Sequence, residues 1–333
     1  MIFKQLFDQE TSTYTYLLAD AETRVAVIID PVISQVDRDL QVIYDLDLSL
    51  KAILETHVHA DHITGSALLR EQTDATIVVP AGSGVLGADS FVGHDDVVSF
   101  GRHRMSVLTT PGHTASCVSY LLDDDAVFTG DVLLIGGTGR TDFQEGDAAT
   151  LYRSVTEKLF TLPDHVRVFP GHDYHGQTQS SIGAEKQHNP RLAGKTEAEY
   201  VALMAQLKLA LPKHINEAVP GNLLAGLLLG DGWEVSPEWV VSNHQELTLL
   251  DVRPADEFNG PLGHIPGAIN VFGILDEQVR LLSKNARIVT VCRSGKRSLD
   301  TAKYLRQQGV GAVWSMQGGM LSWQEKFVPK GRW

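Results

Sequence analysis

Short apolar runs dominate the first half of the chain. T-Y-L-L, V-A-V-I-I-D, K-A-I-L, T-I-V-V-P, M-S-V-L-T-T, C-V-S-Y-L-L, A-V-F-T-G-D and V-R-V-F-P-G follow one another before about residue 171. Each is rich in β-branched or aromatic residues and ends in turn formers, which predicts strands. Helical spacing is sparser: Ser66 to Gln72, Leu151 to Leu159, and a longer stretch from about Glu197 to Leu211. Many strands with few helices predict two layered sheets flanked by helices. From about Ser236 the texture changes. T-L-L-D-V-R, A-I-N-V, R-I-V-T-V-C and A-V-W-S-M read as buried strands, separated by helical stretches such as Ser298 to Gln308. That alternation predicts a small parallel α/β domain. Between the two textures, V-P-G-N-L-L-A-G-L-L-L-G-D-G-W at 219–233 carries four glycines and a proline and suits a junction. The expected domains are therefore 1–230 and 235–333.

Composition narrows the function more than the fold. At 333 residues the chain is long enough for two cores, and no internal repeat or low-complexity tract breaks it. A formal net charge of −13 argues against a nucleic-acid partner, which would need a basic face to displace counterions. No run reaches the roughly eighteen apolar residues of a membrane span, so no membrane partner is expected. The first residues, M-I-F-K-Q-L-F-D-Q-E, lack the charged start and long apolar core of a signal peptide. A soluble cytoplasmic protein is the expectation. The two cysteines, Cys117 and Cys292, sit in contexts too different for a disulfide framework.

Polar residues at strand ends carry the chemistry. After K-A-I-L-E comes T-H-V-H-A-D-H, with His57, His59, Asp61 and His62 inside six residues. Three imidazoles and a carboxylate crowd this closely only when a cation organises them. His113 in T-T-P-G-H-T, Asp131 in F-T-G-D and His172 in F-P-G-H-D repeat the pattern of strand, tight turn and metal-type side chain. A lone histidine is ordinarily a hydrogen-bonded residue of intermediate burial, but four such strand ends bring seven ligand-type residues to one sheet edge. A metal centre is the prediction.

The intact H-x-H-x-D-H motif resembles that of the metallo-β-lactamase superfamily, which implies an αββα sandwich over roughly residues 1–230. Within it, T-H-V-H-A-D-H-I-T-G-S, G-G-T-G-R-T-D-F-Q-E-G at 136–146, P-G-H-D-Y-H-G at 170–176 and N-P-R-L at 189–192 resemble the persulfide dioxygenase branch. The resemblance implies one ferrous ion per chain, Fe(2+), held by His57, His113 and Asp131. Such a two-histidine, one-carboxylate triad leaves cis positions open for substrate sulfur and O2. His59, Asp61, His62 and His172 are then assigned to orienting the triad and holding solvent. Arg140 and Tyr174 resemble the family's contacts to the glutathione part of the substrate. The same residues leave an alternative open. Asp61, His62, Asp131 and His172 suffice for a second metal, as in a binuclear-zinc thioesterase of glyoxalase II type with an appended sulfurtransferase or persulfide-binding module. Cys117 begins an apolar strand and reads as a buried small residue.

A second constellation is C-R-S-G-K-R-S at 292–298. R-I-V-T-V delivers Cys292 to a strand end, and the following stretch is helical. A cysteine there faces backbone N–H groups and a helix amino terminus, with Arg293, Lys296 and Arg297 adding positive charge, so thiolate and arriving anion are both favoured. Four residues separate Cys292 from Arg297, a smaller cradle than the five of a phosphatase loop, which favours sulfur transfer. L-L-D-V-R-P-A-D-E-F at 249–258, G-H-I-P-G-A-I-N at 263–270 and G-G-M-L-S-W at 318–323 resemble the rhodanese family. The resemblance implies that Cys292 takes up a sulfane sulfur as a persulfide, while Asp251 and Arg253 brace the loop. Joined, the two resemblances imply oxidation of glutathione persulfide with O2 to sulfite and glutathione, coupled to interconversion of thiosulfate and glutathione with glutathione persulfide and sulfite. The resemblance also implies pairing of two copies as a homodimer.

Overall fold

The computed structural model describes residues 1–207, 209–210, 215–226, 233–281, 286–308, 310 and 312–327. Contacts divide the chain into two compact units, Met1–Ile215 and Asn216–Trp333. Of the glycine-rich stretch expected as a junction, residues 227–232 lie outside the described residues, as does the expected helix end at 211. Leu224, within that stretch, belongs to the core of the second unit.

Two six-stranded sheets build the first unit. One contains β1 (Ile2–Asp8), β2 (Thr13–Ala19), β3 (Val25–Ile29), β4 (Ser49–Leu54), β5 (Thr76–Pro80) and β6 (Ser90–Val92) in that order. The other contains β7 (Val97–Phe100), β8 (His103–Thr109), β9 (Val118–Leu122), β10 (Ala126–Gly130), β11 (Arg167–Pro170) and β12 (Ser180–Ser181). Period-two alternation explains the layering. Tyr14, Tyr16 and Leu18 of β2 meet Phe128 and Phe169 of the second sheet in one shared core. Tyr16 lies edge-on to Phe128 at 4.9 Å between ring centroids, the arrangement that aromatic quadrupoles favour. The outer face of the second sheet buries Leu151, Val155, Tyr200 and Met204 from the helices Ala148–Glu157 and Glu197–Gln206. The Asp147 side chain caps the first of these at the Thr150 N–H, and a capping box of Thr196 and Glu199 starts the second.

Several elements go beyond the sequence reading, among them β6, β7 and β12. The helix Val36–Asp45 hides its spacing in a polar run, burying only Val36, Asp39 and Ile43. Strand β1 is only partly buried except at Asp8, so its apolar signal is weak.

The second unit holds a five-stranded sheet. Its order is β13 (Glu234–Val235), β17 (Val313–Met316), β16 (Ile288–Val291), β14 (Thr248–Asp251) and β15 (Ile269–Asn270), with every pairing parallel. Val289, Val291, Trp314 and Met316 pack in one core, while Ile288, Leu250 and Val313 pack in another with Leu305 of the helix Lys296–Gln307. Both faces of a parallel sheet are covered in this way. Asp251 and Arg253 form a fully buried ion pair at 2.7 Å. Arg253 also donates to the carbonyl oxygens of Glu257 and Gly263. It ties the strand end to the short helix Ala255–Phe258 and the turn at Gly263, not to the Cys292 loop that the sequence reading expected it to brace, and removing one partner of such a pair typically costs on the order of 3–5 kcal/mol. Among the described residues no helix is long and apolar enough to cross a membrane.

Candidate metal centre and sulfur-transfer loop

Four strand ends of the first unit deliver the candidate ligands. His57 follows β4, His113 follows β8, Asp131 follows β10 and His172 follows β11. Backbone bonds lash these loops together: Gly171 N–H donates to Gly130 at 2.7 Å, and Tyr14 N–H donates to Gly171 at 2.8 Å. One donor atom each from His57, His113 and Asp131 lies within 4.8 Å of the others. The sites of these side chains are buried or nearly so.

Hydrogen bonds fix which nitrogen of each imidazole is bare. His113 Nδ1 lies 2.8 Å from the Arg140 carbonyl oxygen, which only accepts, so Nδ1 carries the proton. His57 Nδ1 lies 2.9 Å from Thr56 Oγ1, and that hydroxyl donates its own proton to Asp30 Oδ2 at 2.7 Å. His57 therefore donates from Nδ1 as well. Both rings keep an Nε2 lone pair for a cation. Burial, with His59 and His113 nearby, holds the His57 pKa well below the usual imidazole value, which keeps the ring neutral. Asp131 Oδ1 is taken by His172 Nδ1 at 2.6 Å, while Oδ2 faces His113 Nε2 at 3.7 Å. Two imidazole nitrogens and one carboxylate oxygen thus converge, a donor set that fits a divalent metal ion. Thr56→Val keeps the shape but removes the relay from His57 to Asp30. Metal affinity is expected to fall about 10- to 100-fold, read by competition titration of the apo protein.

The other ligand-type residues are engaged around this triad. His59 Nε2 lies 3.2 Å from Asp30 and 3.4 Å from Glu55. Burial alone would lower its pKa, but the Asp30 and Glu55 carboxylates outweigh it and raise the pKa well above the usual value. Glu55 also accepts from the hydroxyls of Thr64 and Ser66. Asp61 Oδ2 meets His62 Nδ1 at 2.8 Å and His172 Nε2 at 3.0 Å. Against the effect of burial, these two histidines hold the Asp61 carboxyl well below the usual range. Thr13 Oγ1 joins the group, 3.1 Å from His172 Nε2 and 3.3 Å from Asp61 Oδ2. His59, Asp61 and His62 form a further set of donor atoms within 4.8 Å, as do Asp30, Glu55 and His59. Thr13, Thr56, Asp30 and Glu55 were not picked out by the sequence reading. The Thr and Glu beside His57 were the available signal.

A cleft of about 460 Å³ opens onto the centre, lined by Asp61, His113, Asp131 and His172. Arg140 and Tyr174 line it too. Arg140 is paired through Nε and Nη2 with both oxygens of Asp142, each at 2.7 Å, and its guanidinium lies 4.6 Å from the Phe143 ring centroid. Tyr174 is 67% exposed and stacks on the His172 ring at 6.0 Å. Part of the lining is bare backbone at Gly136, Gly137 and Gly139. A β-carbon on Gly139 would strike the Asp131 carbonyl and the His113 ring, and one on Gly171 would sit 2.8 Å from Asp131 Oδ1. Buried Glu185 pins this segment, accepting from Gly136 N–H at 3.0 Å and from Asn189 Nδ2 at 2.7 Å. Cys117 lies apart from this chemistry. Burial pushes its thiol up to about 12.

In the second unit Cys292 follows β16, and the helix Lys296–Gln307 begins four residues later. Cys292 is buried, whereas Arg293, Lys296 and Arg297 are exposed. Burial would raise the thiol pKa. Hydrogen bonds from the Ser298 hydroxyl and from the N–H groups of Ser298, Ser294 and Gly295 outweigh it and lower the pKa. Arg297 is clasped by Glu257 through Nη1 and Nη2, at 3.0 and 2.7 Å. The helix Gly319–Phe327 backs the loop, with Met320 N–H donating to the Cys292 carbonyl at 2.8 Å. Such a cradle stabilises a thiolate and an anion beside it.

Comparison with known proteins follows this two-part geometry. The family model of the Metallo-beta-lactamase superfamily matches residues 9–172, and that of the Rhodanese-like domain matches residues 236–326. Over 228 residues the chain is 45% identical to "Persulfide dioxygenase ETHE1, mitochondrial" of Mus musculus, and 46% identical to the Homo sapiens protein so named. Each alignment takes in 68% of this chain and 89% of the relative. The solved structure of ETHE1 from Myxococcus xanthus is 56% identical, with a TM-score of 0.66 over 68% of this chain and 100% of that one. A metallo-beta-lactamase from Staphylococcus aureus subsp. aureus COL is 28% identical and superposes with a TM-score of 0.64 over 95% of this chain and 98% of its own.

Proposed function

The chain belongs to the persulfide dioxygenase family of the metallo-beta-lactamase superfamily, with a rhodanese-like domain following, and from that premise we propose that it oxidises glutathione persulfide and exchanges the same sulfur through Cys292. The overall balance is one glutathione persulfide, one O2 and one water giving glutathione, sulfite and two protons. Both oxygen atoms of O2 end on the terminal sulfur, and water supplies the third as the S–S bond breaks. His57, His113 and Asp131 would hold a ferrous ion, which would supply the activation of O2 toward the persulfide sulfur.

The observation that supports this reading is the bookkeeping of lone pairs. His57 and His113 direct Nδ1–H toward oxygen acceptors and keep Nε2 bare, beside a free Asp131 oxygen. His172 lies between Asp131 and Asp61, with a ring nitrogen on each, and in the proposal it fixes the carboxylate. His59, Asp61 and His62 orient the site and hold solvent. Arg140 and Tyr174 contact the tripeptide of the carrier thiol; Asp142 sets the direction of the Arg140 fork.

In the second unit the Cys292 thiolate attacks the sulfane sulfur of thiosulfate. The new S–S bond forms as the bond to the sulfonate breaks, and sulfite leaves with its electron pair. Glutathione thiolate then takes the outer sulfur and frees the Cys292 thiolate. Arg293, Lys296 and Arg297 attract and hold the anions. Each half supplies or consumes the other's sulfur compounds, and run in reverse the exchange turns glutathione persulfide and sulfite into thiosulfate.

Metal analysis with oxygen-electrode assays tests the first half. About one iron per chain, with O2 uptake on addition of glutathione persulfide, is expected. Two zinc ions per chain and hydrolysis of glutathione thioesters would overturn it in favour of a binuclear hydrolase.

A further inference from the structure

The sulfur of Cys292 is met by a pair of hydroxyls whose protons can be dealt in two ways. Ser298 Oγ lies 3.3 Å from Cys292 Sγ, 2.9 Å from the Gly295 carbonyl oxygen and 2.8 Å from Ser315 Oγ. Ser315 Oγ lies 3.4 Å from the same carbonyl. Both serines are fully buried. Thr290 Oγ1 lies 2.8 Å from the Ser298 carbonyl oxygen and 3.0 Å from that of Trp314, so its one proton bridges the two backbones. A hydroxyl has one proton to give. If Ser298 gives its proton to the sulfur, Ser315 can supply the Gly295 carbonyl. If Ser298 gives its proton to Gly295, Ser315 can donate to the Ser298 oxygen, and the sulfur receives nothing from the pair.

The charge on the sulfur decides between these patterns. A thiolate is a strong acceptor and draws the Ser298 proton. Once Cys292 carries a second sulfur, the negative charge moves to the outer atom and the inner one is a weak acceptor. We propose that Ser298 and Ser315 act as a two-hydroxyl switch, donating to Cys292 while it is a thiolate and withdrawing when it becomes a persulfide, with the Gly295 carbonyl bonded in both states. This rests on the reading of Cys292 as the sulfur-carrying nucleophile. Ser315 stands on β17, outside the C-R-S-G-K-R-S loop, and is a positioning residue because it acts through Ser298.

Alkylation of the full-length protein with iodoacetamide across a pH series tests the switch, read by mass spectrometry of the Cys292 peptide. The Cys117 thiol, pushed up to about 12, does not compete. Ser298→Ala removes the donor and is expected to move the alkylation midpoint up by about one pH unit. Ser315→Ala does not touch the sulfur, yet should move the midpoint in the same direction, because the Ser298 proton reverts to the nearer acceptor at Gly295. The double variant should go no further than Ser298→Ala alone. Ser315→Thr, which keeps a hydroxyl, should restore the midpoint. A Ser315 variant that changes the melting temperature and leaves the midpoint at the wild-type value overturns the switch. Failure of the wild type to gain a sulfur on Cys292 from thiosulfate would instead overturn the nucleophile reading, and the alkylation series judges the hydroxyl pair independently.

Discussion

Replacing Asp131 by alanine is expected to remove the metal and the oxygen chemistry together. Asp131 is the anionic member of the proposed triad, and two imidazoles alone hold a divalent ion poorly. Burial works to raise its carboxyl pKa, but His172 above all, then His113 and His57, hold it far below the ordinary carboxylate range. It is therefore anionic at any working pH. A lost metal ligand should exceed the roughly 10- to 100-fold effect of removing an orienting partner. After dialysis the variant should hold little iron by elemental analysis and show background O2 uptake with glutathione persulfide. Thiosulfate turnover by the same preparation should persist, since Cys292 belongs to the other compact unit. Wild-type iron content in the variant would sink the assignment.

Cys292→Ser should give the reverse pattern. A serine hydroxyl at that position stays protonated near neutral pH and cannot carry a sulfane sulfur. Removing a covalent nucleophile commonly costs at least about 10³-fold in turnover, because the cradle that remains has nothing to activate. Sulfite release from thiosulfate and glutathione should fall to that extent, while O2 uptake with added glutathione persulfide stays at the wild-type rate. The two variants together separate the reactions within one chain. Survival of thiosulfate turnover in Cys292→Ser would show another acceptor for the sulfur.

Much of this architecture is legible in the sequence because it follows short-range rules. Alternating apolar runs mark β2 to β5 and β8 to β11, and a glycine or proline at each strand end marks where His113, Asp131 and His172 emerge. The resemblance then orders those residues into a centre. What stays hidden is pairing at a distance. Thr56 reaches back to Asp30, and Thr13 reaches across to His172, through contacts that no periodicity announces. The same holds for Arg297, clasped by Glu257 forty residues earlier. Arg140 is the nearer case. Its partner Asp142 stands two residues on, in plain view, but the fork that binds both carboxylate oxygens is visible only in three dimensions. The helix Val36–Asp45 shows a different limit, since a short amphipathic stripe inside a charged run barely differs from a loop.

The glycine lining of the metal cleft bears on how such a chain can change over time. At Gly139 and Gly171 even a methyl group would collide with Asp131 or its neighbours, so point mutation there disturbs the ligands before it alters the cleft. Change in the shape of the cleft is thereby channelled to lining side chains that reach into open space, Tyr174 above all. Exchange of Tyr174 should therefore reshape the mouth of the cleft, while the two glycines hold the candidate ligands where they are.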